Sequence, residues 1–167
     1  IKSLALPATL RTIGEHAFYD VYYLKDLEIP EGVTTIGESA FQYVGNWVGG
    51  VKVVIPSTVS SIGDYAFWTD NSITSVKSNI QVPFDISENV FAVGSTWNEE
   101  QQKDEFVASK ANLFVPEGTI EQYKKAKGWN MYAAIYEGEM KETVVDGLWR
   151  LWKQNDLLAH LGEQVNL

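Results

Sequence analysis

The chain has 167 residues, of which 45% are hydrophobic, and it contains no cysteine. This length and composition predict a globular domain with one core, and the absent cysteines exclude disulfides and thiol chemistry. A formal net charge of −9 argues against nucleic acid as a partner, because phosphate-backbone binders need clustered lysines and arginines. No apolar run approaches the roughly 18 residues that span a bilayer, so we expect no membrane insertion.

One pattern occurs three times, at residues 4–18, 27–41 and 53–67. Pro7 and Pro30 are 23 residues apart, and Pro30 and Pro56 are 26 apart. A period of about 20 to 50 residues is typical of a solenoid, in which each repeat buries its apolar face against its neighbours. The chain begins at Ile1, inside the strand-like segment of the first copy. We therefore expect the protein to continue before this residue.

The second copy illustrates how each repeat is expected to begin. Leu27 and Ile29 alternate with polar residues, which predicts a short strand with both side chains facing inward. Pro30 cannot donate to a neighbouring strand and therefore ends the segment. Residues 33–36 predict a second short extended segment. The first copy is expected to form the same strand, with Ser3 and Ala5 facing outward.

The second half of each copy predicts a turn that closes the repeat. Gly37 is expected to supply a backbone conformation that a Cβ atom would strain, as are the equivalent Gly14 and Gly63. The residues after it predict a tight helical or 3₁₀ turn that drives Phe41 into the core. The equivalent phenylalanines at 18 and 67 should stack with it, because a recurring aromatic at a fixed repeat position usually serves packing.

The full pattern, L-x-I-P-x-x-V-x-x-I-G-x-x-A-F, resembles the BspA-like class of leucine-rich repeats. The resemblance implies a right-handed leucine-rich-repeat solenoid of the β-rich α+β class. It also implies a bacterial protein that is exported or attached to the cell surface and that acts in adhesion. Family repeats often have a cysteine or small residue three positions after the phenylalanine. This chain differs there, with Val21, Val44 and Asp70.

The pattern weakens after the third copy, although Phe91 follows Phe67 by 24 residues and keeps the repeat phase. Residues 93–109 are polar enough to predict a solvated loop. Residues 112–116 predict the last strand, and Thr119 a capping residue for a short helix. This segment resembles the family's closing unit, so the repeat domain is predicted to cover residues 1–137.

Residues 138–167 are predicted to be a separate C-terminal extension. Apolar residues between Asp146 and Gly162 are spaced as on one face of a helix, with Asp146 as the N-cap and Gly162 as the C-terminal stop. Such an amphipathic helix could pack on the solenoid, begin another module or contact a second protomer.

Catalytic and metal-binding signatures are absent from the sequence. The two histidines, His16 and His160, lack ligand spacing, and no G-x-S-x-G or phosphate-binding loop occurs. A pair of carboxylates suited to glycoside hydrolysis remains open, but the acidic residues Glu15, Glu38 and Asp64 at equivalent repeat positions suit solvated turns. We therefore predict no enzyme, no cofactor and no metal.

Outward residues define the predicted partner surface. Aromatic residues after the core phenylalanines should form one edge, and outward strand positions should form a sheet face. The residues are Tyr19, Tyr22, Asp26, Glu28, Tyr43, Trp47, Lys52, Trp68 and Phe114. Tyrosine and tryptophan at solenoid corners can equally cover the ends of the core with their polar tips in water.

Three functions are compatible with this surface. The first is a non-catalytic adhesion module that binds host or cell-surface proteins. The second is a carbohydrate-binding module, because sugars stack on aromatic faces. The third is a structural spacer in a larger multidomain protein.

Overall fold

The computed structural model of the chain describes residues 2–140. These residues form ten strands and one short helix. In chain order they are β1 Thr12–Ile13, β2 Asp26–Glu28, β3 Thr35–Ile36, β4 Val51–Ile55, β5 Ser61–Ile62, β6 Ile73–Ser78, β7 Gly94–Asn98, β8 Lys103–Val107, β9 Asn112–Val115, α1 Ile120–Lys125 and β10 Ala134–Glu137. The helix expected between Asp146 and Gly162 and the second histidine, His160, lie outside the described residues.

The larger sheet is parallel and contains five strands in the order β10-β9-β6-β4-β2. Its central inward row places side chains from successive repeats side by side. This row consists of Leu27, Val53, Val76, Leu113 and Ile135. The first four are at most 1% exposed, so the predicted inward positions of the second copy are confirmed. Each strand buries its inward residue only because a neighbouring repeat covers it, as expected of a solenoid.

A second parallel sheet of three two-residue strands forms another side of the solenoid, in the order β1-β3-β5. Ile13, Ile36 and Ile62 face the core from it. The extended segments predicted after each proline are therefore present. The first strand expected in copy one is not, since residues 2–11 form no strand. Leu4 and Leu6 nevertheless pack against the core as partly buried side chains.

The turn after each glycine is not a helix. Alternate amides bond to the next repeat: the Ser39 amide donates to the Asp64 carbonyl at 2.8 Å, and the Phe41 amide donates to the Ala66 carbonyl at 2.8 Å. The amide of Ala40, between them, donates within its own turn to Gly37. Because every second amide is drawn to a neighbouring repeat, continuous helical bonding is interrupted, and the predicted helical or 3₁₀ turn is a series of isolated turns.

The predicted phenylalanine stack is confirmed and extends over four repeats. Ring centroids are 5.2 Å apart between Phe18 and Phe41, 5.4 Å between Phe41 and Phe67, and 5.0 Å between Phe67 and Phe91. The planes are within 10° of parallel. Trp129 continues the apolar contact beyond Phe91, with a centroid distance of 5.8 Å. The stack therefore forms a continuous aromatic core along the solenoid.

The predicted role of the repeat glycines is wrong in its mechanism. Neither Gly37 nor Gly63 has a φ in the left-handed region. Their function is to allow close approach between repeats: a Cβ on Gly37 would lie 2.6 Å from the Glu15 amide nitrogen. The left-handed residues lie two positions later and are not glycine; they include Ser39, with φ 53°.

The C-terminal part of the repeat domain differs from expectation in three places. The predicted loop at 93–109 contains an antiparallel hairpin of β7 and β8, whose side chains are too polar to show the alternation of a half-buried strand. Thr119 precedes α1 but does not cap it, because its hydroxyl donates to the Pro116 carbonyl at 2.7 Å. The strand at 112–115 is not the last, since β10 pairs beside it.

Candidate functional site

The outward side of the five-stranded sheet has two rows of residues. One row runs Asp26, Lys52, Ser75, Asn112 and Ala134, and the other Glu28, Val54, Lys77, Phe114 and Tyr136. Asp26 and Glu28 on β2 are exposed, and Lys52 on β4 is partly exposed. The acidic strand at one edge thus lies beside strands that carry lysine, which gives the sheet face mixed charge.

Phe114 lies on this face but is only 4% exposed, so little of its side chain is accessible to a partner. Tyr136 on β10 stacks on it with ring centroids 5.5 Å apart, and Lys77 is its register partner on β6. Tyr136 itself is 49% exposed and occupies the accessible position. Tyr136 was not among the predicted contact residues because β10 was not predicted, although the alternation around Ile135 was the available signal.

Four of the predicted aromatic residues meet at one edge of the solenoid. Tyr19 and Tyr43 contact edge to face at 5.7 Å, and Tyr22 stacks on Trp47 at 5.3 Å and 18°. They line a surface cleft of about 410 Å³ together with Asp20, Asn46 and Asp70. We call this set of seven residues the edge cleft. It draws its lining from three successive repeats.

Trp68 is not part of the edge cleft. Its ring lies 5.4 Å from Tyr65 and 6.2 Å from Phe106 on the β7–β8 hairpin. The hairpin thus covers one side of a residue that the sequence placed with the other aromatics.

Tight backbone geometry fixes Trp47 at the cleft. Gly45 precedes it with φ 66°, and a Cβ at this position would lie 2.7 Å from the Leu24 carbonyl oxygen. The Trp47 amide then donates to the Tyr22 carbonyl at 3.1 Å. Only glycine suits both the left-handed backbone and the close approach. The extra residues in this repeat therefore present an indole that is 68% exposed.

Acidic and amide groups form the polar part of the cleft. The Asn46 side-chain amide donates to Asp70 Oδ2 at 3.2 Å, and the Asp70 backbone amide donates to Asn46 Oδ1 at 3.3 Å. The pKa of Tyr22 is raised mainly by its side-chain hydrogen bond with Asp20 and to a smaller extent by desolvation. The pKa of Tyr19 is raised mainly by desolvation and to a smaller extent by the charge of Asp20. Both tyrosines therefore remain neutral donors at physiological pH.

Within residues 2–140 no three His, Asp or Glu side chains come together as metal ligands would. Over the same range no helix has the length and apolar character needed to span a bilayer. His16 is exposed, and its Nδ1 lies 3.3 Å from the neighbouring Glu15 carboxylate.

Stacked parallel strands, short turns and a phenylalanine core define a leucine-rich-repeat solenoid, a fold that typically serves as a non-catalytic binding scaffold. Residues 1–100 match the family model described as the BspA type leucine rich repeat region (6 copies). The chain belongs to this family, whose members are commonly exported or on the cell surface. No curated protein and no solved structure matches the chain.

Proposed function

We propose that the chain is a non-catalytic adhesion module of an exported or cell-surface bacterial protein, and that it binds host or other cell-surface proteins. Its contact surface combines the edge cleft with three residues of the sheet face, the exposed Asp26 and Glu28 and the partly exposed Lys52. Membership of a repeat family that often serves protein interaction supports a binding role.

The single observation that carries the proposal is the exposure of Trp47. An indole that is 68% exposed, held by a tight glycine turn and stacked on Tyr22, costs little entropy to immobilise on binding. Tryptophan and tyrosine are the residues most often found as energetic centres of protein interfaces. Core packing alone does not account for this placement, since the phenylalanine stack already closes the core beneath the turn.

The same feature supports carbohydrate binding as a second candidate. A fixed indole face beside Asp20, Asn46 and Asp70 offers a stacking platform with hydrogen-bonding groups, which suits a sugar ring. The spacer function would need no such platform.

Parallel screens of the full chain separate these functions. We expect saturable binding to members of a panel of immobilised extracellular-matrix and cell-surface proteins, and none to a glycan array. Binding to glycans alone would contradict the protein-adhesion proposal and favour the carbohydrate module. Binding to neither class would favour the spacer.

A further inference from the structure

The edge cleft contains two carboxylates that no described cation neutralises. Asp20 and Asp70 line it, and its lining includes no lysine, arginine or histidine. Among residues 2–140, the ion pairs within 4.0 Å are His16 with Glu15, Lys77 with Glu139 and Lys124 with Glu121, so neither aspartate has a basic partner. The cleft is therefore complementary to positive charge.

The aromatic side chains of the cleft favour the same kind of ligand. Trp47 and Tyr19 are 68% and 39% exposed, so their ring surfaces are open to a partner. The negative face of an aromatic ring attracts a cation, and indole does so most strongly. The stack on Tyr22 covers one side of Trp47, and Tyr23 also contacts the indole, with ring centroids 5.5 Å apart and planes at 73°. These contacts hold the plane of the indole. A cation in the edge cleft would lie beside aromatic and acidic groups together.

The shape and hydrogen bonding of the cleft select among cations. The Asn46 amide holds Oδ2 of Asp70 at 3.2 Å, which orients a carboxylate that is otherwise exposed. A guanidinium is planar, stacks on aromatic faces and donates to two acceptors in fixed directions, whereas an ammonium is a compact, strongly hydrated point charge. A sugar hydroxyl can also donate to these carboxylates, but a neutral sugar brings no positive charge to balance theirs.

We propose that the edge cleft binds an arginine side chain of a partner protein, with the guanidinium against Trp47 and hydrogen-bonded to Asp20 and Asp70. Such a contact presupposes the protein-binding function proposed above. It adds that the partner presents an accessible arginine, and that its attachment weakens as salt concentration rises.

The test titrates the full chain with the peptide Gly-Arg-Gly-Arg-Gly and follows the Trp47 indole resonance by NMR. Two matched peptides carry citrulline, which has the same shape without charge, or lysine. We expect the arginine peptide to shift the resonance, the citrulline peptide to bind about tenfold more weakly and the lysine peptide several-fold more weakly. Raising salt from 50 to 500 mM should weaken the arginine peptide.

The variants Asp20→Asn and Asp70→Asn remove charge with little change of shape, and asparagine tolerates the left-handed φ of 63° at position 20. Each should weaken the arginine peptide about tenfold without changing the thermal midpoint. The control is Trp97→Ala with Asp104→Asn, an exposed indole and its opposite carboxylate on the hairpin, which should bind as wild type.

Equal binding of the citrulline or lysine peptide would overturn the arginine assignment. So would a Trp47 shift caused by cellotetraose and not by the arginine peptide. If protein ligands from the panel bind the aspartate variants as well as wild type, the arginine contact is refuted while the adhesion function stands. If no panel protein binds, the adhesion function fails even where the peptide shifts Trp47.

Discussion

Replacing Gly37 with alanine should strongly destabilise the solenoid, although glycine to alanine usually stabilises where φ is negative. The new Cβ would lie 2.6 Å from the Glu15 amide nitrogen and would have to retreat to at least 3.4 Å for ordinary contact. That shift would lengthen the bond from the Gly37 amide to the Ile13 carbonyl from 2.8 Å to about 3.6 Å, beyond hydrogen-bond distance. The neighbouring bond, from the His16 amide to Glu38, is strained similarly.

Losing two such bonds at about 1 kcal/mol each lowers the free energy of unfolding by about 2 kcal/mol, or about 4 to 8 °C in the thermal midpoint. Urea unfolding followed by circular dichroism measures it. Gly14→Ala is the matched control, because a Cβ there meets nothing within 4 Å and φ is again not left-handed. Its stability should be unchanged or slightly raised. Equal stability of Gly37→Ala and Gly14→Ala would refute close approach as the reason for the repeat glycines.

Three further predictions concern buried aromatic residues. Phe41→Ala should lower the free energy of unfolding by about 4 kcal/mol, because Phe41 is fully buried between two rings. Phe18→Ala should lower it by about half as much, since Phe18 is partly buried and has one ring partner. Urea unfolding that ranks the two variants in the reverse order would contradict the stack. Tyr132→Phe should raise the free energy of unfolding by about 1 kcal/mol, since its buried hydroxyl has no described hydrogen-bond partner; destabilisation would show that the hydroxyl is satisfied. Burial, opposed by the Ser78 hydrogen bond, raises the pKa of Tyr123 to about 12, so the stability that this shift contributes is complete below pH 10.0, the ordinary pKa of tyrosine, and is lost as pH rises toward 12. Tyr123→Phe should lose less stability than wild type at alkaline pH. Identical pH profiles of stability for the two proteins would contradict the assignment.

The repeating part of the fold was predictable from sequence because each constant residue has one packing role. Leu27, Ile29 and Phe41 recur at fixed phase, and a side chain that recurs at fixed phase must stack on its equivalent in the next repeat. The role of Gly37 was not predictable, because an isolated repeat contains no neighbouring backbone to approach it. The β7–β8 hairpin was not predicted, because its two strands pair with each other and bury few side chains, so they need no alternation of apolar residues.

The candidate site was predictable only in its aromatic half. Tyr19 and Trp47 were recognisable because they flank core phenylalanines or interrupt the period. Asp20 and Asp70 are separated by two repeats, and only the stacking of turns places them in one cleft. Asp70 did depart from the family pattern, which was the one available signal.

Recognition through the edge cleft is tested most directly by surface plasmon resonance. The measurement compares the affinities of the full chain and of its Trp47→Ala variant for a protein ligand identified in the panel. Removal of a fixed, exposed indole from the centre of an interface should weaken binding at least tenfold, or about 1.4 kcal/mol. Trp97→Ala, which removes an indole that is 57% exposed on the hairpin, should bind as wild type. Unchanged binding by Trp47→Ala, or equal loss in both variants, would contradict recognition through the edge cleft.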